Sequence, residues 1–378
     1  NFVSVESLYF QDLRQDNITN VDSFVLPEIR VKHVTPILND DTFITIENNN
    51  MNYVEGSDYK VSRNALSMSL THMLKTDNGH LLNISGYNRL DWYHVDLTRS
   101  NVPPKNKTMV RAIPEMHLGW QYPLVKTYFN DDITILEPEV LFVAGKNKSE
   151  QNLKFTYVDS GSYSLTEENL FNTNHYNGID FHEYGSRLSY GLKASHNTTS
   201  GYVFKAFLGR LKHFKSMDRL DNQANLLTSA SVNYQNLVEI YYNSRVNSLV
   251  RSPFREEIGG WYNNQIIYLN VGLIQIKPMQ FLLYPNNQII TNAGMRQVYF
   301  DTKYKLNESW SVGTDSRFNL TSHQKISAIS RNIKMTYEGD CVKIDLRFGR
   351  NYTADPSRGI YKTNNNEVAI SLKTLGDF

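Results

Sequence analysis

Apolar and polar residues alternate with period two along most of the chain. In "CVKIDLRFGR", Val342, Ile344, Leu346 and Phe348 alternate with Lys343, Asp345, Arg347 and Gly349. Successive side chains of a strand point to opposite faces, so this segment separates an apolar environment from a polar one. "NALSMSLTHM" repeats the pattern, with Leu66, Met68 and Leu70 set against Ala65, Ser67, Ser69 and Thr71. "GYVFKAFLGRL", "NQIIYLNVGLIQI" and "RQVYFDTKYKL" carry it further. Polar breaks at 76–79, 196–201, 306–309 and 338–340 suit hairpin turns. Residues 226–246 contain no Gly or Pro. As one strand they would span roughly 70 Å, so a reversal is predicted near Gln235-Asn236.

The whole pattern predicts roughly seventeen antiparallel strands of about ten residues, the length a tilted strand needs to cross a bilayer. Helical periodicity is hard to find. Three segments break the rhythm, at 98–108, 145–182 and 351–366. They read as long loops set against short turns, the asymmetry of outer-membrane barrels. A single strand cannot distinguish a soluble sandwich from a membrane barrel. Strand length favours the barrel, as do the aromatics in "LDWYHVD", "LGWQY" and "GGWYNN", placed where interfacial girdles would sit. The closing "EVAISLKTLGDF" adds a third argument. Val368, Ile370, Leu372 and Phe378 share one phase of this last strand and are expected to face lipid. The expected fold class is all-β, a large antiparallel outer-membrane barrel, with residues 1–378 as one domain.

Composition adjusts this picture little. A net charge of +1 and a pI of about 7.9 imply no general attraction to nucleic acid. The mean hydropathy of −0.47 resembles a soluble protein, but aromatics reach 12%. No apolar run approaches the ~18 residues of a spanning helix. The chain opens at Asn1 without an initiating Met and reads as a mature or excised piece of something longer. Its one cysteine, Cys341, excludes an internal disulfide framework.

Candidate chemistry is sparse. There is no Gly-x-Ser-x-Gly elbow, phosphate loop or HExxH, so no catalytic residue or cofactor is assigned. The His residues are scattered, and "NDD" at 39–41 and 130–132 is a weak calcium signal. No metal site is assigned. Lys343, Asp345 and Arg347 would line the wet side of their strand.

Two stretches carry a resemblance. Residues 135–192 run from a strand containing Glu-Pro through Asp-Ser, Asn-Leu-Phe and Tyr-Asn-Gly-Ile-Asp to Gly-Ser-Arg opening another strand. Residues 337–378 supply "YEGDCVKIDLRFGRNYT" and the closing strand. Together they resemble the C-terminal barrel of the LptD family of lipopolysaccharide-assembly proteins. "ESLYFQDLRQDN" and "VLPEIRVKHV" are similar less specifically. The resemblance implies transfer of lipopolysaccharide to the outer leaflet through a polar lumen and a lateral strand seam, with no chemistry on the substrate. It implies an LptE-like lipoprotein plug, and an LptA-like periplasmic bridge reached through an N-terminal jelly-roll domain outside this chain. Family barrels have about 26 strands, so the first strands are expected to lie outside the chain as well.

Further expectations follow from the resemblance. Asp159, Ser160, Glu168, Asn169, Asp180 and Arg187 belong to a loop folded into the lumen that shapes the passage and meets the plug. The plainer alternative is a loop held by its own Asx turns and an Arg–carboxylate pair. Lys343, Asp345 and Arg347 could meet lipopolysaccharide phosphates. Cys341 could form a disulfide to the N-terminal domain. Pro27 and Pro36 remove ladder donors and would weaken an edge strand. The rival function is a porin or ligand-gated barrel for small solutes.

Overall fold

The computed structural model describes residues 1–10, 23–38, 41–56, 59–97, 105–146, 159, 165–214, 226–247, 252–283, 288–292, 294–320, 326–352 and 363–372. Among them are 21 strands and no helix. The first eight are β1 (Phe2–Phe10), β2 (Ser23–Leu38), β3 (Thr42–Glu55), β4 (Tyr59–Lys75), β5 (Leu81–Leu97), β6 (Lys105–Gln121), β7 (Leu124–Thr127) and β8 (Ile133–Gly145). Next come β9 (Arg187–Asn197), β10 (Tyr202–His213), β11 (Leu226–Tyr234), β12 (Val238–Asn247), β13 (Ser252–Asn263), β14 (Ile267–Ile276), β15 (Met279–Leu283) and β16 (Gln288–Asn292). The last are β17 (Met295–Lys305), β18 (Trp310–Asn319), β19 (Ser327–Glu338), β20 (Val342–Asn351) and β21 (Thr363–Leu372). Nineteen belong to one sheet, and β15 and β16 pair only with each other.

The chain forms two compact units. One comprises residues 1–124, 136–192 and 209–222; the other comprises 125–135, 193–208 and 223–378. In the first, β1 to β6 pair antiparallel in sequence order and β6 then pairs with β8. In the second, β11, β12, β13, β14, β17, β18, β19, β20 and β21 form an equally regular antiparallel run.

The strands outnumber the expected seventeen partly because β7, β15 and β16 are too short to show alternation, at 4, 5 and 5 residues. β4, β5 and β6 reach 17 residues, longer than a crossing requires. β6 takes in residues 105–108 of the expected loop at 98–108, and β21 takes in the end of the one at 351–366. Pro27 lies where β2 is paired on each side, whereas Pro36 lies beyond the register of β1, which ends at Lys32, and among the described residues is paired with β3 alone. The ladder adapts by shifting register between Val25 and Glu28 and between Pro36 and Leu38, so the missing donors fall at irregularities.

Turn chemistry explains the tight connections. Gln235 and Asn236 both adopt positive φ, 50° and 54°, between β11 and β12. That is the primed-turn geometry that matches strand twist. At 76–80, Gly79 sits at φ 85° and its N–H bonds the Thr76 carbonyl at 2.9 Å. The long connections, 11–22, 146–186, 214–225 and 352–362, alternate along the chain with tight ones such as 198–201, 235–237 and 339–341.

Two opposite faces result. On β4, Val61, Arg63, Ala65 and Thr71 are buried, while Leu66, Met68 and Leu70 are exposed. On β12, Ile240 is 62% exposed and lies between exposed Val238 and Tyr242. Val342, Ile344 and Leu346 are half-buried and Phe348 is exposed, so none sits in a dry interior. Aromatic clusters lie beside tight turns. His80, Trp120 and Tyr122 stack in the first unit; Tyr202 with Tyr234, and Trp310 with Tyr337, pack with tilted rings in the second. Trp261 departs from this. It shares the phase of Glu257 and Gly259, opposite to exposed Ile258 and Tyr262.

A Gln235→Asn/Asn236→Gly double substitution should relieve the two positive-φ residues and stabilise the hairpin by about 1 kcal/mol, read as slower unfolding in denaturant.

Candidate functional site

The polar face of β3–β6 carries ions that are fully buried. Tyr93 lies directly opposite Arg63, and Asp91 directly opposite Arg111. Period-two spacing puts Arg89, Asp91 and Tyr93 on one face of β5, and Arg111, Ile113 and Glu115 on one face of β6. Arg89 Nε lies 3.0 Å from Asp91 Oδ1, and Arg111 Nε donates to Asp91 Oδ2. An uncompensated buried guanidinium would cost several kcal/mol, so each needs a partner.

The segment before β9 supplies the remaining partners. Arg63 Nη1 donates to Asp159 Oδ2 and to Asp180 Oδ1, both at 2.7 Å, and its Nη2 donates to Asn49 Oδ1 at 2.8 Å. Tyr93 Oη donates to Asp180 Oδ1 at 2.9 Å. Arg111 Nη1 donates to the Asp180 carbonyl at 2.7 Å, and Arg89 Nη2 to the Ile179 carbonyl at 2.8 Å. The two aspartates also brace each other. The N–H of Asp180 donates to Asp159 Oδ1, and the N–H of Asp159 to Asp180 Oδ2, each at 3.1 Å. Burial alone would raise the Asp159 carboxyl. The Arg63 guanidinium and the N–H groups of Asp180 and Ile179 outweigh it and hold the group at about 2.

A second cluster ties the loop to β6, β9 and β10. Glu115 Oε1 lies 3.0 Å from His182 Nε2, and its Oε2 lies 3.1 Å from His117 Nε2. A side chain at Gly145 would crowd Glu115, its Cβ falling 3.0 Å from Oε1. Glu183 is clamped between His175 Nδ1 and His213 Nε2, each at 2.6 Å. Arg187 Nη1 donates to the carbonyls of Glu183 and Gly185 at 2.9 and 3.1 Å and lies 3.5 Å from Glu115 Oε1. Burial lowers the His182 pKa more than Glu115 raises it, which favours the neutral ring. Burial raises Glu183, but His175, His213 and Arg187 bring it well below the usual range.

The structure brings together three of the six loop residues singled out from sequence: Asp159, Asp180 and Arg187. Glu168 is exposed, and Asn169 Oδ1 accepts the Thr166 N–H at 2.7 Å in a local turn. Ser160 and Phe378 lie outside the described residues. Arg63, Arg89, Asp91, Tyr93, Arg111 and Glu115 were missed. Their signal was charge in phase on three consecutive strands. His175, His182, Glu183 and His213 were passed over because their proximity is tertiary.

In the second unit, Lys343 Nζ lies 3.2 Å from Asp345 Oδ2, which shares its carboxylate with Thr336. Lys334 pairs with Asp315 at 2.6 Å, and Arg347 lies 3.9 Å from Asp315 and 3.7 Å from Glu367. These residues form a charged belt across β18–β21. Val368 and Ile370 are exposed, at 64% and 67%, and Leu372 pairs with Val342. Cys341, the one cysteine of this sequence, is exposed at the β19–β20 turn. Among the described residues no cluster of His, Cys, Asp or Glu could hold a metal ion.

Arg63→Ala leaves Asp159 and Asp180 without their shared guanidinium and should weaken loop docking by about 3–5 kcal/mol. Faster limited proteolysis within 165–186 of the folded protein would report it; unchanged cleavage would contradict the latch. Asp159, Glu183 and His182 all have folded pKa values below their ordinary ones, so the undocked state binds more protons. Docking should therefore weaken as pH falls, first below the ordinary His value of 6.5 and most steeply as Asp159 titrates between 3.8 and about 2. Hydrogen exchange of the loop against pH reads this directly.

The chain matches the sequence model of the LptD family, LPS transport system D, over residues 1–366. No curated protein matches it. Among solved structures it is similar to the siderophore receptor PirA from Acinetobacter baumannii, with 7% identity, 98% of this chain and 73% of that chain covered, and a TM-score of 0.42. A ferric enterobactin receptor mutant from Pseudomonas aeruginosa, PfeA R480A with enterobactin, gives 9%, 92%, 68% and 0.43. The ferric citrate transporter FecA in its unliganded form gives 9%, 97%, 65% and 0.48. The family match spans nearly the whole sequence and agrees with an all-β sheet whose faces divide into apolar and charged: the chain belongs to the LptD family, outer-membrane β-barrel proteins of lipopolysaccharide transport.

Proposed function

We propose that this chain forms the part of the translocon that inserts lipopolysaccharide into the outer leaflet, moving it through a polar lumen and out through a lateral strand seam. The observation that carries this reading is the two-faced sheet. Apolar side chains such as Ile240, Leu269 and Phe348 are exposed on one face, and ions line the other. In a membrane the first face meets hydrocarbon and the second encloses water. A sugar-phosphate head needs the wet side, and the acyl chains need an apolar exit.

The docked loop fits the same reading. Asp159, Asp180 and Arg187 hold it against the polar face, where it would narrow the passage and offer a surface to an LptE-like lipoprotein plug. Lys343, Asp345 and Arg347 would line the lumen, with Lys343 and Arg347 available to phosphates. Val368, Ile370, Leu372 and Phe378 would form the lipid face of the last strand beside the seam. Cys341, at a tight turn, would be placed to pair with a periplasmic domain of the full protein, through which an LptA-like bridge would deliver substrate. No catalytic step is needed.

Cells depleted of their own LptD and supplied with the full-length protein should regain surface lipopolysaccharide. Ungated ion conductance in planar bilayers without such rescue would instead indicate a porin. Ile240→Arg should cost about 2–4 kcal/mol at the bilayer midplane and lower the yield of heat-modifiable barrel. Lys343→Arg, on the other face, should leave that yield unchanged.

A further inference from the structure

One row of the second unit's ladder reads Tyr241, Gly259, Gly272, Tyr299, each residue directly opposite the next on β12, β13, β14 and β17. The two phenols reach toward each other across the glycines until their oxygens hydrogen-bond. Tyr299 Oη also donates to Glu257 Oε1 at 2.9 Å. A Cβ at Gly259 would fall 2.6 Å from Tyr241 Oη, and one at Gly272 would overlap the tip of the Tyr299 ring. The bare backbone is therefore what lets both rings lie so low on the polar face.

The adjoining row of the same face places Glu239, Trp261, Asn270 and Asp301 side by side. Asn270 Oδ1 is buried and has no hydrogen-bond partner among the described residues. An acceptor left unused next to aromatic rings is costly unless a ligand's donor completes it. The carboxylates Glu239, Glu257 and Asp301 are matched by Arg255 and Lys334, which pair with Glu257 and Asp301, and by Arg317 directly opposite Tyr299, so no net positive charge favours a phosphate here. Saccharide hydroxyls suit them, because a hydroxyl donates to carboxylate and amide oxygens while the ring's C–H face packs on an aromatic.

We propose that Tyr241, Tyr299 and Trp261 form a stacking platform for a neutral sugar ring, with Asn270 Oδ1 and Glu257 accepting its hydroxyls. The platform rests on the reading that this face lines the aqueous passage. It adds to that reading a site for the uncharged saccharide part of the cargo, beside the charged belt of Lys334, Asp315 and Arg347, whose Lys334 lies 3.8 Å from Asp301.

The test uses full-length protein purified in detergent and two probes, delipidated and dephosphorylated core oligosaccharide and maltohexaose, titrated calorimetrically. Tyr241→Ala/Tyr299→Ala should bind about tenfold more weakly, and Tyr299→Phe, which keeps the ring, should bind within about threefold of the parent. Gly272→Ala, which displaces a ring without removing one, should also weaken binding and serves if the double variant fails to fold. Binding of both probes supports a general neutral-sugar platform, and binding of the core oligosaccharide alone supports one specific to the cargo. Failure of both to bind, or equal affinity in every variant, overturns the platform. Surface lipopolysaccharide in cells carrying the parent protein separates the two claims: with delivery intact, only the platform is lost; with delivery absent, the transport reading fails too.

Discussion

Hydrocarbon offers no hydrogen bonds, so a chain that crosses it must pair its own backbone groups. Strands do this across the sheet. The long uninterrupted registers of β3 to β6, and of β13, β14, β17 and β18, are the form that constraint takes here. Once the backbone is satisfied, side chains are free to divide by environment. Leu66, Met68 and Leu70 face one way, and Arg63, Ala65 and Thr71 the other. The buried ions and the charged belt sit on the side that the apolar phase leaves free.

That polar side is not uniformly wet. In the first unit the docked loop converts it into a buried ionic core, in which Arg63, Arg111 and Arg187 are among the largest fully buried side chains. Buried ion pairs add little net stability compared with apolar packing, yet breaking one is expensive. Such a core ties the loop to one face: Arg63, Arg89, Arg111 and Arg187 all draw partners from it. In the second unit the charges of β18–β21 are half-exposed, and apart from Lys334–Asp315 at 2.6 Å they pair at longer distances, as expected where solvent does the screening.

Strand identity was legible wherever alternation was long, and the reversal at Gln235-Asn236 followed from length alone. β7, β15 and β16 were not legible, because four or five residues cannot establish a period. Proline in β2 carried mixed information: a register shift absorbs Pro27 inside a stretch paired on both sides, whereas Pro36 does lie where β2 is paired on one side only. For the site, Asp159, Asp180 and Arg187 stood out within a distinctive loop. Their partners did not, because Arg63 and Arg111 are ordinary polar-phase residues until the loop is laid over them. Glu168 and Asn169 matched the same motif, but the fold uses Asn169 for a local turn and leaves Glu168 in solvent.

The central claim is that the apolar phase meets lipid while the charged phase meets water. Single nitroxide labels at positions 269 and 348, and at 257 and 347, in full-length protein reconstituted in bilayers and carrying Cys341→Ser, test it most directly. The account predicts that oxygen relaxes the first pair of labels preferentially and a water-soluble nickel chelate the second. Protection of positions 269 and 348 from both reagents would mean that they pack against protein, and would contradict the account.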